Sequence, residues 1–174
     1  AGVAADGTAT TDDFRTIVGH FTAAGDLDPS FGTGGWFSHN VAVGTSAELP
    51  YGIDLQSDGR IVVAETVEHV GATADPRDRD VAVLRITASG MLDSTFATGG
   101  VALLDLSDGE AEPPPSTVYV ADTARNLEVD ALDRIVVAVG LKRAGAIDTD
   151  FGVVRLSPGG VLDPTFGIAG VVSV

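Results

Sequence analysis

The chain has 174 residues, of which 44% are hydrophobic and 20% charged, a composition that fits a globular domain and argues against disorder. Its 25 acidic residues outnumber its 10 basic ones, and the resulting net charge of -15 repels phosphate backbones and anionic membrane surfaces. The longest apolar run, residues 135–141, is far shorter than the ~20 residues of a membrane-spanning helix, so the sequence predicts neither nucleic-acid binding nor direct membrane insertion.

A glycine-rich segment occurs three times along the chain. It reads "GDLDPSFGTGG" at residues 25–35, "GMLDSTFATGG" at 90–100 and "GVLDPTFGIAG" at 160–170, and we call these the first, second and third corners. The aspartate of each corner can accept hydrogen bonds from the next backbone N–H groups, so each corner is predicted to be a capped tight turn. The equivalent aspartates are Asp28, Asp93 and Asp163. The corners should bury six apolar side chains almost completely, namely Phe31, Phe96, Phe166, Leu27, Leu92 and Leu162.

Apolar strands precede the corners in a fixed order. The block "RIVVA" occurs at 60–64 and again at 134–138, and a second apolar block, such as "VAVLRI" at 81–86, leads into the corner. With a strand before "RIVVA" and a last strand after the glycines, each unit contains four short strands and no helical period. Four antiparallel strands are the content of one β-propeller blade, so the predicted fold is all-β, with "RIVVA" central in its sheet.

An arginine stands eight residues before the corner aspartate in two units. Arg85 precedes Asp93, and Arg155 precedes Asp163, and each arginine shares a strand face with apolar residues. A guanidinium in apolar surroundings needs a carboxylate or carbonyl partner, so we predict that each arginine bonds the aspartate or backbone carbonyls of its own corner. The alternative is that both arginines extend into solvent. His20 holds this position before the first corner and predicts a looser contact there.

These blocks, taken together, resemble a known family. The combination of "DGRIVVAE" with "DVAVLRITASGMLDSTFATGGVA" is similar to the delta-60 repeat of bacterial proteins. The resemblance implies a β-propeller-like fold, an exported or cell-surface location and no common enzymatic activity. The chain departs from the repeat at Leu132 and Asp133, which replace the Asp-Gly turn, and at His20.

The resemblance divides the single repeat domain, residues 1–174, into a partial unit of about 1–38 and full units of about 39–105 and 106–174. Closed propellers have about four to eight blades, so this chain is expected to be a partial propeller or one completed by oligomerisation. Its open strand edges then predict a protein partner or self-association. The acidic loops at 71–80 and 107–116 vary between units and are candidate recognition loops.

The sequence contains no motif for catalysis. It has no cysteine, no GxSxG elbow and no phosphate-binding GxxxxGK[ST] loop, and its three histidines lack metal-ligand spacing. We therefore expect no catalytic residue, no cofactor and no metal, with calcium at "DLD" (26–28) or "DPRDRD" (75–80) as the alternative. The predicted function is a non-catalytic scaffold or accessory subunit of a larger bacterial assembly. The alternative function is a fragment of a propeller enzyme or ligand-binding protein whose site lies partly in missing blades.

Overall fold

The computed structural model describes residues 2–5, 14–41, 48–68, 78–107, 120–141 and 149–174. Within these ranges every regular element is a β-strand, and the strands form three sheets that follow one another along the chain. The described residues contain no helix long and apolar enough to cross a membrane. Most of the two acidic loops, residues 71–77 and 108–116, falls outside the described residues, as does His69.

The first sheet has three antiparallel strands in the order β1-β2-β3. They are β1 (Gly2–Ala5), β2 (Phe14–Gly19) and β3 (Trp36–His39). The first corner lies between β2 and β3, as the sequence predicts for the last hairpin of a unit.

The second sheet contains four antiparallel strands in the order β4-β5-β6-β7. They are β4 (Glu48–Leu55), β5 (Ile61–Glu68), β6 (Asp78–Ile86) and β7 (Val101–Leu104). A two-residue strand, β8 (Val120–Ala121), adds to this sheet by pairing in parallel with β6, an addition that the four-stranded prediction lacked.

The third sheet repeats the second, with the spatial order β12-β11-β10-β9. Its strands are β9 (Thr123–Val129), β10 (Ile135–Leu141), β11 (Asp150–Leu156) and β12 (Val171–Ser173). The apolar residues of the "RIVVA" segments therefore lie in β5 and β10, each between two other strands, which confirms the prediction that they are central. The fold is all-β, and its successive antiparallel sheets correspond to blades of a partial β-propeller.

The core lies between successive sheets. The second sheet turns Val62, Ala64 and Val83 toward the third sheet, where buried residues of β10 and β11 cover them. The first strands of the two full sheets also approach closely, since a Cβ on Gly52 of β4 would lie 2.4 Å from the backbone nitrogen of Leu127 in β9. Glycine is required at that position because any side chain would collide with the neighbouring backbone.

The predicted burial of the corner residues is correct for two of the six. Phe31 and Phe96 are buried, but Phe166 is only half-buried because the described residues contain no sheet beyond the third. The prediction was also wrong for the leucines, which are all half-buried. Each leucine lies beside the last glycine of its own corner; the pairs are Leu27 with Gly35, Leu92 with Gly100, and Leu162 with Gly170. Leu92 and Leu162 also pack at the border of the core clusters.

Candidate functional site

The three corners have the same internal hydrogen bonds. In each corner one oxygen of the aspartate accepts from both the backbone N–H and the hydroxyl of the residue two positions later. In the second corner these bonds join Asp93 to Thr95 at 3.1 Å and 2.6 Å. The same atoms connect Asp28 to Ser30, and Asp163 to Thr165. The capped turn that the sequence predicts is therefore present three times.

The predicted arginine–aspartate pairs are also present. Arg85 Nε donates to Asp93 Oδ2 at 2.9 Å, and Arg155 Nε donates to Asp163 Oδ2 at 2.9 Å. Each guanidinium also lies over the phenylalanine of its own corner, 4.8 Å from the ring centre of Phe96 and 4.5 Å from that of Phe166. These cation–π contacts connect the charged pair to the apolar part of the corner.

The first corner has a histidine in place of the arginine. His20 Nδ1 lies 3.1 Å from Asp28 Oδ2, and the two side chains are 53% and 27% exposed. In the second corner the side chains of Arg85 and Asp93 are only 8% and 6% exposed. The imidazole reaches the same carboxylate oxygen but leaves the pair open to solvent, so the first corner is the more exposed of the two.

Charge and hydrogen bonds stabilise the ionised form of the corner aspartates. Burial acts to raise the pKa of Asp93, but hydrogen bonds from Thr95 and the nearby charges of Arg85 and Arg60 lower it below the ordinary value. The hydrogen bonds from Thr165 lower the pKa of Asp163 in the same way. These carboxylates are thus ionised and already engaged, which suits a structural role.

The second corner is also bonded to the third sheet. Arg85 Nη1 donates to the backbone carbonyl of Pro158 at 2.7 Å, and Gln56 Nε2 donates to that same carbonyl at 3.2 Å. On the neighbouring turn, the backbone N–H of Ser57 donates to Asp133 at 2.7 Å. Asp133, at the departure from the Asp-Gly turn, has a φ of 60° and so takes the left-handed conformation of the glycine it replaces.

A backbone hydrogen bond joins each of the first two corners to the following sheet. The N–H of Gly32 donates to the carbonyl of Ser89 at 2.8 Å, and the N–H of Ala97 donates to the carbonyl of Gly159 at 2.9 Å. In both cases the phenylalanine of the corner packs on the next glycine, so that a Cβ on Gly160 would lie 2.6 Å from the ring of Phe96. We call this pair of contacts the junction: the hydrogen bond from the backbone N–H of the corner, and the glycine of the next turn that the phenylalanine ring covers.

The third sheet has an apolar surface that no other described part of the chain covers, and we call it the end face. It is formed by Val136, Ala138, Phe151, Val153 and Val172. The same positions of the second sheet are covered by the third, so Val81 is fully buried where its equivalent Phe151 is 57% exposed. Likewise Phe37 of the first sheet is 5% exposed, whereas its equivalent Val172 is 39% exposed.

A groove of about 300 Å³ lies along this end face and is lined by residues of β9, β10 and β11, including Val136, Ala138 and Val153. It is a shallow apolar depression bordered by Glu128 and Asp130. An apolar surface of this kind suits contact with another protein surface.

Two buried acidic groups were not predicted. Glu48 accepts hydrogen bonds from the backbone N–H groups of Thr16 and Val41, and Glu65 accepts one from the hydroxyl of Thr16, so both carboxyls connect the first sheet to the second. Burial raises the pKa of Glu65 to about 8. The sequence carried one signal for this residue, because Glu65 stands where Val139 follows the other "RIVVA" block.

A second acidic cluster contains Asp80, Asp105 and Asp122, whose carboxylate oxygens lie within 4.8 Å of one another. Asp80 is the last residue of the "DPRDRD" segment that suggested calcium. Asp122 already accepts hydrogen bonds from the backbone of Leu106 and from Ser107, and burial raises its pKa to about 6. Since calcium takes six to eight oxygen ligands, three carboxylates of which Asp122 is already hydrogen-bonded are an incomplete fit for it. The carboxylate of Asp28, in "DLD", is engaged by Ser30 and His20 instead.

Comparison with known proteins supports the fold. Residues 133–166 match the family model of a β-propeller domain of unknown function, DUF5122. The matched stretch runs from the turn before β10 to Phe166, so it includes Arg155 and Asp163. No curated protein matches the chain. The comparison therefore supports a β-propeller-like repeat over residues 133–166.

Proposed function

We propose that this chain is a non-catalytic structural module of the delta-60 repeat type that acts as a scaffold or accessory subunit of a larger bacterial assembly. The order of repeated blocks along the chain supports the finer family assignment, and the match to a β-propeller repeat is compatible with it. An extracytoplasmic location, whether periplasmic, secreted or at the cell surface, is part of the proposal and rests on that resemblance.

The observation that carries the proposal is the end face. Its residues repeat a surface that, on the second sheet, lies fully under the next sheet. Burying apolar surface of this kind stabilises contact by about 25 cal/mol per Å², so a copy of it that no other described residues cover favours association with another protein. The end face is thus the proposed contact surface of the module.

The corners support a non-catalytic role. Each corner aspartate is bonded to residues of its own corner, and the same arrangement occurs in all three corners. A catalytic acid or base must be able to exchange a proton with a substrate, and it normally occurs at one site only. We therefore assign a structural role to the polar side chains of the corners, which connect the third strand of each unit to its last strand.

Co-purification from the source organism tests this function. Tagged wild-type chain is compared with Phe151→Asp, which places a charge on the end face, and with Leu132→Asp, which places one on an exposed turn outside it. Proteins or untagged copies should be recovered with the wild type and Leu132→Asp and lost with Phe151→Asp. Equal recovery with all three chains, or none with the wild type, would contradict an interaction role for the end face.

A further inference from the structure

The third corner has the donor side of a junction. Gly167 holds the position of Gly32 and Ala97, whose N–H groups donate to the next sheet. Among the described residues no backbone carbonyl accepts from the N–H of Gly167. The neighbouring side chains, Phe166 and Ile168, are half-buried and exposed respectively, so the corner is open where the other two are occupied.

Among the described residues, the groove beside this corner has a larger volume than the groove at the first junction. At the first junction a groove of about 230 Å³ lies between Gly32, Phe37 and the following residues Gly90 and Leu92. The equivalents in the third sheet, Gly167 and Val172 among them, line a groove of about 570 Å³ together with Leu106. The groove at the first junction thus includes residues of the following turn, whereas among the described residues the groove at the third corner is lined by that corner, β12 and Leu106 of the preceding sheet.

The first sheet has the acceptor side of a junction. Residues 22–25 form the same turn as 87–90 and 157–160, because the N–H of Gly25 donates to Thr22, as that of Gly90 donates to Thr87, both at 2.9 Å. Gly25 has a φ of 89°, close to the 82° of Gly90 and the 87° of Gly160. A Cβ on Gly25 would contact nothing within 4 Å, whereas one on Gly160 would collide with Phe96.

Apolar residues surround this turn as they do at the internal junctions. Phe21 holds the position of Ile86 and Leu156, both of which are fully buried, but Phe21 itself is 54% exposed. Its ring packs edge to face against that of Trp36, which is also exposed. The first sheet thus offers an apolar surface next to its turn, and the third sheet offers the end face next to its corner.

We propose that the third corner binds residues 22–25 of a second copy of this chain, so that copies associate head to tail. The N–H of Gly167 donates to the carbonyl of Ala24, which holds the position of Ser89 and Gly159, and the ring of Phe166 covers Gly25. The end face then packs on the first sheet of the partner copy. The two surfaces differ, so this contact is heterologous and forms a ring or an open chain of copies. This inference rests on the proposed function and names its partner.

The net charge of the chain makes the proposed association depend on salt. Each copy has a net charge of -15, so copies repel one another at low salt, while the contact itself is made by apolar side chains and backbone groups. We therefore expect the association to strengthen as salt is raised, the reverse of a contact that depends on ion pairs.

Cross-linking tests which surfaces meet. The chain has no cysteine, so Ala24→Cys and Ile168→Cys each introduce a single thiol. The two variants are mixed and treated with a short bis-maleimide, and the matched control replaces Ile168→Cys with Thr98→Cys, an exposed position of the already occupied second corner. The proposal predicts 24–168 dimers in clear excess over 24–98 dimers and over either homodimer. Equal yields of these products would overturn it.

Sedimentation velocity provides an independent measurement. Gly25→Ala fills the space that Phe166 of the partner would occupy, while Gly59→Ala imposes the same strain, at a φ of 82°, where a Cβ would meet only Ala88 at 3.8 Å. Gly25→Ala should weaken self-association at least tenfold relative to Gly59→Ala. Equal association of the two variants, or a wild type that stays monomeric at high salt and high concentration, would overturn the inference. Loss of co-purified proteins with Phe151→Asp would in that case still support the proposed function with a different partner.

Discussion

The second and third corners have almost the same residues and the same internal bonds, yet their surroundings differ. Arg85 and Asp93 are covered by the turn of the next sheet, with a bond to Pro158. Arg155 and Asp163 make their own pair, and no other turn among the described residues covers it. The phenylalanine is buried in one corner and half-buried in the other. The comparison separates two contributions: the corner forms from its own sequence, whereas its burial depends on a neighbouring sheet.

The largest expected difference is between the two phenylalanines. Phe96→Ala should lower the free energy of unfolding by about 3–5 kcal/mol, because the buried ring leaves a cavity against Gly160. Phe166→Ala should cost less in a monomeric sample, since the ring of Phe166 is only partly buried. Chemical denaturation of both variants measures the difference, and equal losses would show that the third corner is covered in solution.

The next largest effect is expected from Glu65, the buried acid of the second sheet, on the pH dependence of stability. Glu65 has a pKa of about 8 in the folded chain against 4.5 ordinarily, so the folded state holds a proton that the unfolded state releases between these values. Its contribution to stability is complete below about pH 4.5 and is lost as pH rises through 8. Glu65→Gln should therefore flatten the fall in stability between pH 5.5 and 8, by an amount on the order of a few kcal/mol.

Thermal unfolding at several pH values checks this effect. The third sheet offers the natural comparison, because Val139 fills the position of Glu65 there and has no proton to lose. If wild type and Glu65→Gln kept parallel pH profiles across this range, Glu65 would be ionised in the folded chain and the assigned burial effect would be wrong.

Substitution of the arginine should also cost more stability in the second corner than in the third, and the difference should be smaller than that between the phenylalanines. Arg85→Gln leaves Asp93 buried but still paired with Arg60 at 3.0 Å, so its cost should fall below the ~3–5 kcal/mol of a fully broken buried pair. Arg155→Gln should cost less again, because that pair is more exposed. Melting temperatures of the two variants test this order, and a larger loss for Arg155→Gln would reverse the comparison.

The smallest effect is expected at the first corner. His20→Arg would give it the residue of the other two, and a guanidinium can bond Asp28 and lie over Phe31 as in the second corner. We expect a small rise in melting temperature near neutral pH, because the pair is exposed and such pairs stabilise little. A lower melting temperature would indicate that the ring contact of His20 with Phe31, at 5.3 Å, matters more than the charge.

Much of the sheet architecture was predictable from the sequence. The "RIVVA" strands lie between two other strands, as their unbroken apolar runs predict. The eight-residue spacing of Arg85 and Asp93 reflects two neighbouring positions across one hairpin. The bonds within each corner follow from local sequence, which is why they could be inferred from the repeat.

The remainder depended on long-range packing. Phe166 has the same motif as Phe96, and its exposure reflects the absence of a following sheet among the described residues, which no local pattern encodes. Glu65 lies in a strand whose residues are all buried, and on its own face the first sheet covers it. Asp80, Asp105 and Asp122 are distant in sequence and meet through the pairing of β6 with β8 and the end of β7.

Amide exchange at Gly167 tests the central claim most directly, because the equivalent N–H groups of Gly32 and Ala97 serve as internal references. In ¹⁵N-labelled chain, the amides of Gly32 and Ala97 should be protected at every protein concentration. The amide of Gly167 should exchange freely in dilute solution and become protected as concentration and salt are raised and the third corner binds a second copy. Fast exchange of Gly167 under all of these conditions would contradict the account.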